Sequence, residues 1–261
     1  MVWIMLLACR PDAVTCGEGT VLDGTTCVPV ATDTEPTDSD TGTAPEPEPL
    51  LRDDFDDIDL EVWEHGDWAL GITQLDPAQV SAGDGVMSIE VRKDGSQWLG
   101  GELLSQETFG HSEWSARIAG PEDTGTVCAF FMYGAVVLED TWVSNELDFE
   151  ILDGRVMMTS FSQWRLEDGW PGDGPTHETT TWEAPEGFLV SDWHTYTFRY
   201  APDAVSFFVD GELATTLEAA VPLGEMHVRF NHWTTDTWPA VGGPPDSDQR
   251  CRVDWIEGSP L

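Results

Sequence analysis

The chain has 261 residues, 40% of them hydrophobic, with 13 Trp and 11 Phe; this is enough apolar material for one large core plus an appendage and excludes disorder throughout. Its 49 acidic residues stand against 11 basic ones, a formal charge of -38, and Lys93 is the sole lysine. Such a field repels phosphate backbones, anionic headgroups and sulfated polymers, so nucleic acid is excluded as a partner and neutral or cationic partners remain.

The chain opens on a short apolar run, Met1-Val-Trp-Ile-Met-Leu-Leu-Ala-Cys9, that resembles the end of a bacterial lipoprotein signal over residues 1–9. Cys9 would then carry lipid and anchor the protein to a bacterial membrane. No basic stretch precedes the run, so a start further upstream is expected, and a frayed apolar terminus is the alternative. No apolar run elsewhere reaches the ~20 residues a membrane helix needs. In residues 10–30, Cys16 and Cys27 enclose a Gly/Thr-rich loop that needs a staple, which predicts a bridge formed in an oxidising compartment. Residues 31–50, rich in Thr, Asp, Glu and Pro, read as a disordered, self-repelling tether. The location predicted is extracytoplasmic: cell surface, periplasm or secreted.

From residue 51 to 259 the pattern is that of one domain built from strands. It is also acidic, since residues 51–261 hold 40 acids and ten bases. Short alternating runs separated by Gly, Pro and Asp turns predict strands at Val86–Val91, Glu113–Ile118, Thr126–Tyr133, Glu146–Ile151, Val156–Phe161, His194–Tyr200, Ala204–Val209, Met226–Phe230 and Arg252–Ile256. No long capped helix is predicted. Strands at this spacing argue for an all-β, two-sheet antiparallel sandwich. Asp210-Gly211 is a tight-turn signal between two of the strands. Cys128 and Cys251 each sit in an apolar strand-like run and suit a disulfide or two buried thiols equally.

In Asn145-Glu-Leu-Asp-Phe-Glu-Ile151, period two puts Glu146, Asp148 and Glu150 on one strand face and Leu147, Phe149 and Ile151 on the other. The backbones of Glu146 and Glu150 are roughly 13.6 Å apart, and side chains leaning about 4 Å each along the strand leave about 5 to 6 Å between carboxyls. Retaining glycosidases use a pair ~5 to 5.5 Å apart, one carboxylate attacking the anomeric carbon and one carboxylic acid protonating the departing oxygen. Asp148 adds a like charge that raises both neighbours. On spacing alone a solvated sheet face explains the row better than a catalytic pair, and Asp57-Ile-Asp-Leu-Glu61 repeats it.

Context decides. Residues 51 to 257 resemble glycoside hydrolase family 16, the concanavalin-like jelly-roll glycosidases that include lichenases, laminarinases and xyloglucan transglycosylases. The centre of the resemblance is Glu146-Leu-Asp148-Phe-Glu150, uninterrupted as in the lichenase and xyloglucan branch. The supporting blocks are Asp53-Asp-Phe-Asp with Trp63, Gly101-Glu102-Leu-Leu-Ser105 read as preceding the first long cleft strand, Trp193–Phe198 with Phe207–Gly211, Phe230-Asn231-His-Trp233 with Trp238, and Val253-Asp254-Trp255. The resemblance implies Glu146 as nucleophile, Asp148 as its assisting acid and Glu150 as acid/base. It also implies Glu102, Asn231, Trp233, Trp238 and Trp142 as sugar contacts.

Two positions depart from the family: Leu104 stands where lichenases carry an arginine, and Ser144 where a Trp precedes the nucleophile, with Trp142 further back. No cofactor is required for the chemistry; the resemblance implies a structural calcium held by Asp254. The expected function is endo-acting retaining hydrolysis of a neutral β-glucan by a monomer. The alternatives are a transglycosylase on the same scaffold and a surface carbohydrate-binding protein without turnover.

Overall fold

The computed structural model describes residues 20–23, 26–29, 48–121, 123–138, 141–165 and 177–261; for residues 20–29, 138, 141, 142 and 161–165 it describes the backbone alone. The chain divides into residues 1–46 and 47–261. In the first unit β1 (Thr20–Asp23) and β2 (Thr26–Pro29) form an antiparallel hairpin. The expected lipidation at Cys9, the Cys16–Cys27 bridge and most of the tether lie outside the described residues.

The second unit holds β3 (Leu51–Asp53), β4 (Trp63–His65), β5 (Ala69–Leu70), β6 (Thr73–Leu75), β7 (Val80–Gly83), β8 (Val86–Asp94), β9 (Gln97–Phe109) and β10 (Ser112–Ala119). It continues with β11 (Val127–Leu138), β12 (Thr141–Leu152), β13 (Arg155–Arg165), β14 (His177–Trp182), β15 (His194–Tyr200), β16 (Val205–Val209), β17 (Glu212–Leu217), β18 (Met226–Trp233) and β19 (Gln249–Pro260). The helical segment among the described residues is one 3-10 turn, Pro77–Gln79, capped by the Asp76 side chain. At the start of the second unit the Leu50 amide donates to the Gly258 carbonyl.

Two antiparallel layers result. The inner layer runs β4-β9-β18-β11-β12-β13-β14. The outer runs β17-β16-β15-β10-β19, with β3 and β8 both paired to the long β19 and β7 at the edge. This is the all-β sandwich that the patterning predicts. Every predicted strand is present, within a residue or two at its ends or as part of a longer strand.

Facing positions fill the space between layers. Phe130 of β11 stacks on Phe230 of β18 at 5.1 Å and meets Phe198 of β15 at 4.7 Å, while Phe149 of β12 packs edge-on against Phe207 of β16 at 5.0 Å. All five are fully buried. Offset and edge-on rings add to the area they remove from water. Between the same layers Cys128 of β11 and Cys251 of β19 form a disulfide, which resolves the two alternatives left by the sequence.

Candidate active site

β12 carries the acid row because its other face is oil. Leu147, Phe149 and Ile151 are fully buried in the inter-layer core, so Glu146, Asp148 and Glu150 must turn to the opposite surface. The register of β13 against β12 is fixed by a two-residue reversal, Asp153-Gly154, both at positive φ (48° and 67°), which sets Leu152 opposite Arg155. That register puts Thr159 opposite Asp148. On the other side Tyr133, Phe131 and Ala129 of β11 lie opposite Glu146, Asp148 and Glu150. The row through Ala129 continues to Asn231 of β18 and then Glu102 of β9, so four adjacent strands bring Glu102 and Glu150 to one surface.

The chance repeat Asp57–Glu61 has no such setting. It is part of the loop before β4, where Asp59 accepts from the Glu61 amide with its side chain and from the Val62 and Trp63 amides with its carbonyl.

Burial dominates the electrostatics. Glu146 and Glu150 are both pushed up, chiefly by loss of water; the charge of Glu150 adds to the rise at Glu146, and Arg229 acts against it. Asp148, 4% exposed and with one carboxyl oxygen lacking any partner, is raised well above its ordinary value by burial and by both neighbours, against a single hydrogen bond from Thr159. The row therefore holds shared protons near neutral pH instead of three full charges. Glu102 is raised by burial and lowered by Arg229, whose Nη1 donates to its Oε1 at 2.9 Å; Asn231 Nδ2 donates to the other oxygen at 3.5 Å.

Beyond the acids, Trp233 and Trp238 stack at 6.4 Å with planes 19° apart, over a small cluster that includes Ala129 and Phe131. Gly71, at φ 60°, is needed beneath them, since a Cβ there would meet the Trp233 ring at 2.9 Å and the Thr234 carbonyl at 2.7 Å. The sequence-predicted Glu102, Asn231, Glu146, Asp148 and Glu150 thus share one face, with Trp233 and Trp238 as a wall. Glu102 lies within the long strand β9, not in a segment ahead of it. Trp142 is on β12, but its side chain lies outside the described residues.

Sequence reasoning missed Arg229, Tyr133, Thr159 and Trp68. Arg229 lies two residues before Asn231 on the same strand face, a period-two signal that was available. It is the direct neighbour of Leu104, and the Tyr133 hydroxyl donates to Ser144 Oγ at 3.4 Å; the two positions that depart from the family pattern thus each meet a polar or cationic group of another strand. Trp68, 40% exposed, and Glu102 flank Gly66, whose Cβ would lie 3.2 Å from the indole and 2.8 Å from the Glu102 Cβ.

Asp254 lies on β19. It accepts a close ion pair from Arg117, and Arg117 and Arg252 both lie on the Trp193 ring, at 5.3 and 5.2 Å. Among the described residues no group of three or more His, Cys, Asp or Glu side chains is placed to hold an ion.

The model of glycosyl hydrolases family 16 matches residues 71–257. The chain belongs to that family. It is 28% identical over 194 residues to a beta-glucanase of Acetivibrio thermocellus, covering 70% of this chain and 55% of that one. To the endo-1,3-1,4-beta-glycanase ExoK of Rhizobium meliloti it is 28% identical over 199 residues, 72% of this chain and 69% of the other. The family 16 chain thus spans about half the length of the first of these relatives. The solved lichenase from a mouse hindgut metagenome superposes with a TM-score of 0.67 at 20% identity, over 81% of this chain and 99% of that one, and shares the fold.

Proposed function

We propose that this family 16 chain is an endo-acting retaining glycosidase whose substrate is a neutral β-glucan. The observation that carries the reading is the acid row itself: three carboxyl groups side by side on one strand face turned away from the inter-layer core, their proton affinity raised by burial, with Glu102, Asn231 and two stacked indoles beside them. The names of the bacterial relatives, beta-glucanase and endo-1,3-1,4-beta-glycanase, support a β-glucan, and the net charge of -38 supports a neutral one.

The chemistry follows from protonation. Glu146 attacks the anomeric carbon as carboxylate while Glu150 delivers its proton to the glycosidic oxygen, breaking the bond and leaving a glycosyl ester on Glu146. Glu150, now ionised, takes a proton from water as that water attacks the anomeric carbon and releases Glu146. Asp148, neutral between them, spares the row a third charge and has a proton to donate to the Glu146 carboxylate. A sugar hydroxyl in place of water would give transglycosylation. The indole pair offers a flat apolar face for pyranose C–H groups. The Cys128–Cys251 bridge supports the extracytoplasmic location.

Reducing-sugar release from purified β-glucans tests the reading. Glu146→Gln and Glu150→Gln should each lose at least ~10³ in kcat with folding intact, and azide should convert a Glu146→Ala variant's substrate to a glycosyl azide of inverted configuration. Full activity in the Glu146→Gln variant would refute it.

A further inference from the structure

Two glutamates on one face of one strand are chemically alike, and a double displacement needs them in different states. What makes the difference is not on β12. We propose that Arg229 is the positioning residue that acts on them unequally: from β18 it fixes Glu102 for the sugar and sets positive charge on the Glu146 side of the row, favouring the carboxylate form of Glu146 that the reaction needs. This rests on the glycosidase reading above and adds a residue to it.

The geometry is specific. The Arg229 guanidinium lies 5.1 Å from the ring centroid of Tyr133, and Tyr133 is the direct cross-strand partner of Glu146, while Glu150 has Ala129 as partner. Its Nη1 is 2.9 Å from Glu102 Oε1, the side chains being 14% and 3% exposed. Its Nε is buried with no hydrogen-bond partner. Arg229 acts on the two unequally: it opposes the rise at Glu146, which burial, Glu150 and Glu102 still carry to about 8, whereas at Glu150 burial alone gives about 7. The other titratable groups facing this cluster are Glu102 on β9, Tyr133 on β11 and Asp148 on β12, with Glu64 of β4 opposite Leu104. His227, on β18 itself, is bonded through Nδ1 to the Ser105 carbonyl, and His177 of β14 lies opposite Phe161.

The test is the pH profile of kcat/KM on a soluble mixed-linkage β-glucan for the wild type, Arg229→Met, Arg229→Lys and Glu102→Gln, with near-UV circular dichroism as a folding control. Removing the cation should move the acid limb upward by about one pH unit in Arg229→Met, leave the alkaline limb in place, and be largely reversed in Arg229→Lys. Removing the Glu102 charge, which raises Glu146, should move the acid limb the other way. A purely structural role would lower kcat without moving either limb. An acid limb that superimposes on the wild type in folded Arg229→Met overturns the proposal; if that variant does not fold, an unmoved limb in Glu102→Gln does so. Undiminished activity in Glu146→Gln would instead sink the glycosidase reading on which it stands.

Discussion

A carboxyl group deprived of water binds its proton more tightly in the folded chain than in the unfolded one, and that difference is a stability term. Glu146 and Glu150 are raised from the ordinary 4.5 to about 8 and about 7. The folded state therefore holds more protons than the unfolded state between pH 4.5 and 8, and stability must fall as pH rises through that window. Glu146→Gln removes one of these groups. Its stability should match the wild type near pH 4.5 and exceed it at pH 8 by at least about 1.4 kcal/mol, the equivalent of one pH unit, as read from urea midpoints at the two values. His232 works in the opposite sense. Buried, with Nδ1 on the Ile89 carbonyl, it is lowered from 6.5 to about 4, so it costs stability as pH falls through that range. The β12 acids thus weaken the fold toward alkaline pH and this core histidine toward acid pH.

At the scale of the element, β12 serves two masters. Phe149 shares a strand with Glu146, Asp148 and Glu150, is fully buried and touches Tyr196, Phe198 and Phe207 of the outer layer. Phe149→Ala should lower unfolding free energy by about 3–5 kcal/mol and also depress kcat, because the cavity lies directly beneath the acid row; chemical denaturation and initial rates check the two parts. Strands of this kind were legible from sequence because alternation writes both faces at once, as in His194–Tyr200, where the predicted and observed bounds agree. The acid row was legible for the same reason, and Asp210-Gly211 appears at φ 50° and 80° in the turn it predicted. What escaped was cross-strand adjacency. Nothing in a linear reading sets Arg229 beside Leu104, or Tyr133 beside Glu146, because those pairings depend on the registers of β18, β9, β11 and β12. The pairing of Asp254 with Arg117 escaped for the same reason, since the two lie 137 residues apart in the chain.

For the molecule as a whole, two layers of opposite task have to stay in contact. Cys128 lies in the layer that carries the acids and Cys251 in the layer behind, 123 residues apart in sequence with Cα atoms 5.7 Å apart. Closing a loop of that length removes conformations from the unfolded chain worth about 5 kcal/mol in the chain-entropy view. A Cys128→Ser/Cys251→Ser double variant should accordingly lose several kcal/mol in equilibrium unfolding while keeping its glucan products unchanged.

The outer layer also matches its arginines: Arg52 with Glu257 and Asp54, Arg250 with Glu90, Arg117 with Asp254, Arg199 with Glu113. Much of the acid excess is thereby left without a counterpart elsewhere. The short reversal at Asp153-Gly154 has a consequence for how such a chain tolerates change. One residue gained or lost there would slide β13 by a single peptide, sending Met158 out to the face that carries the acid row and Thr159 into the hydrocarbon interior. Insertions at this corner should therefore be far less survivable than substitutions of either residue flanking it.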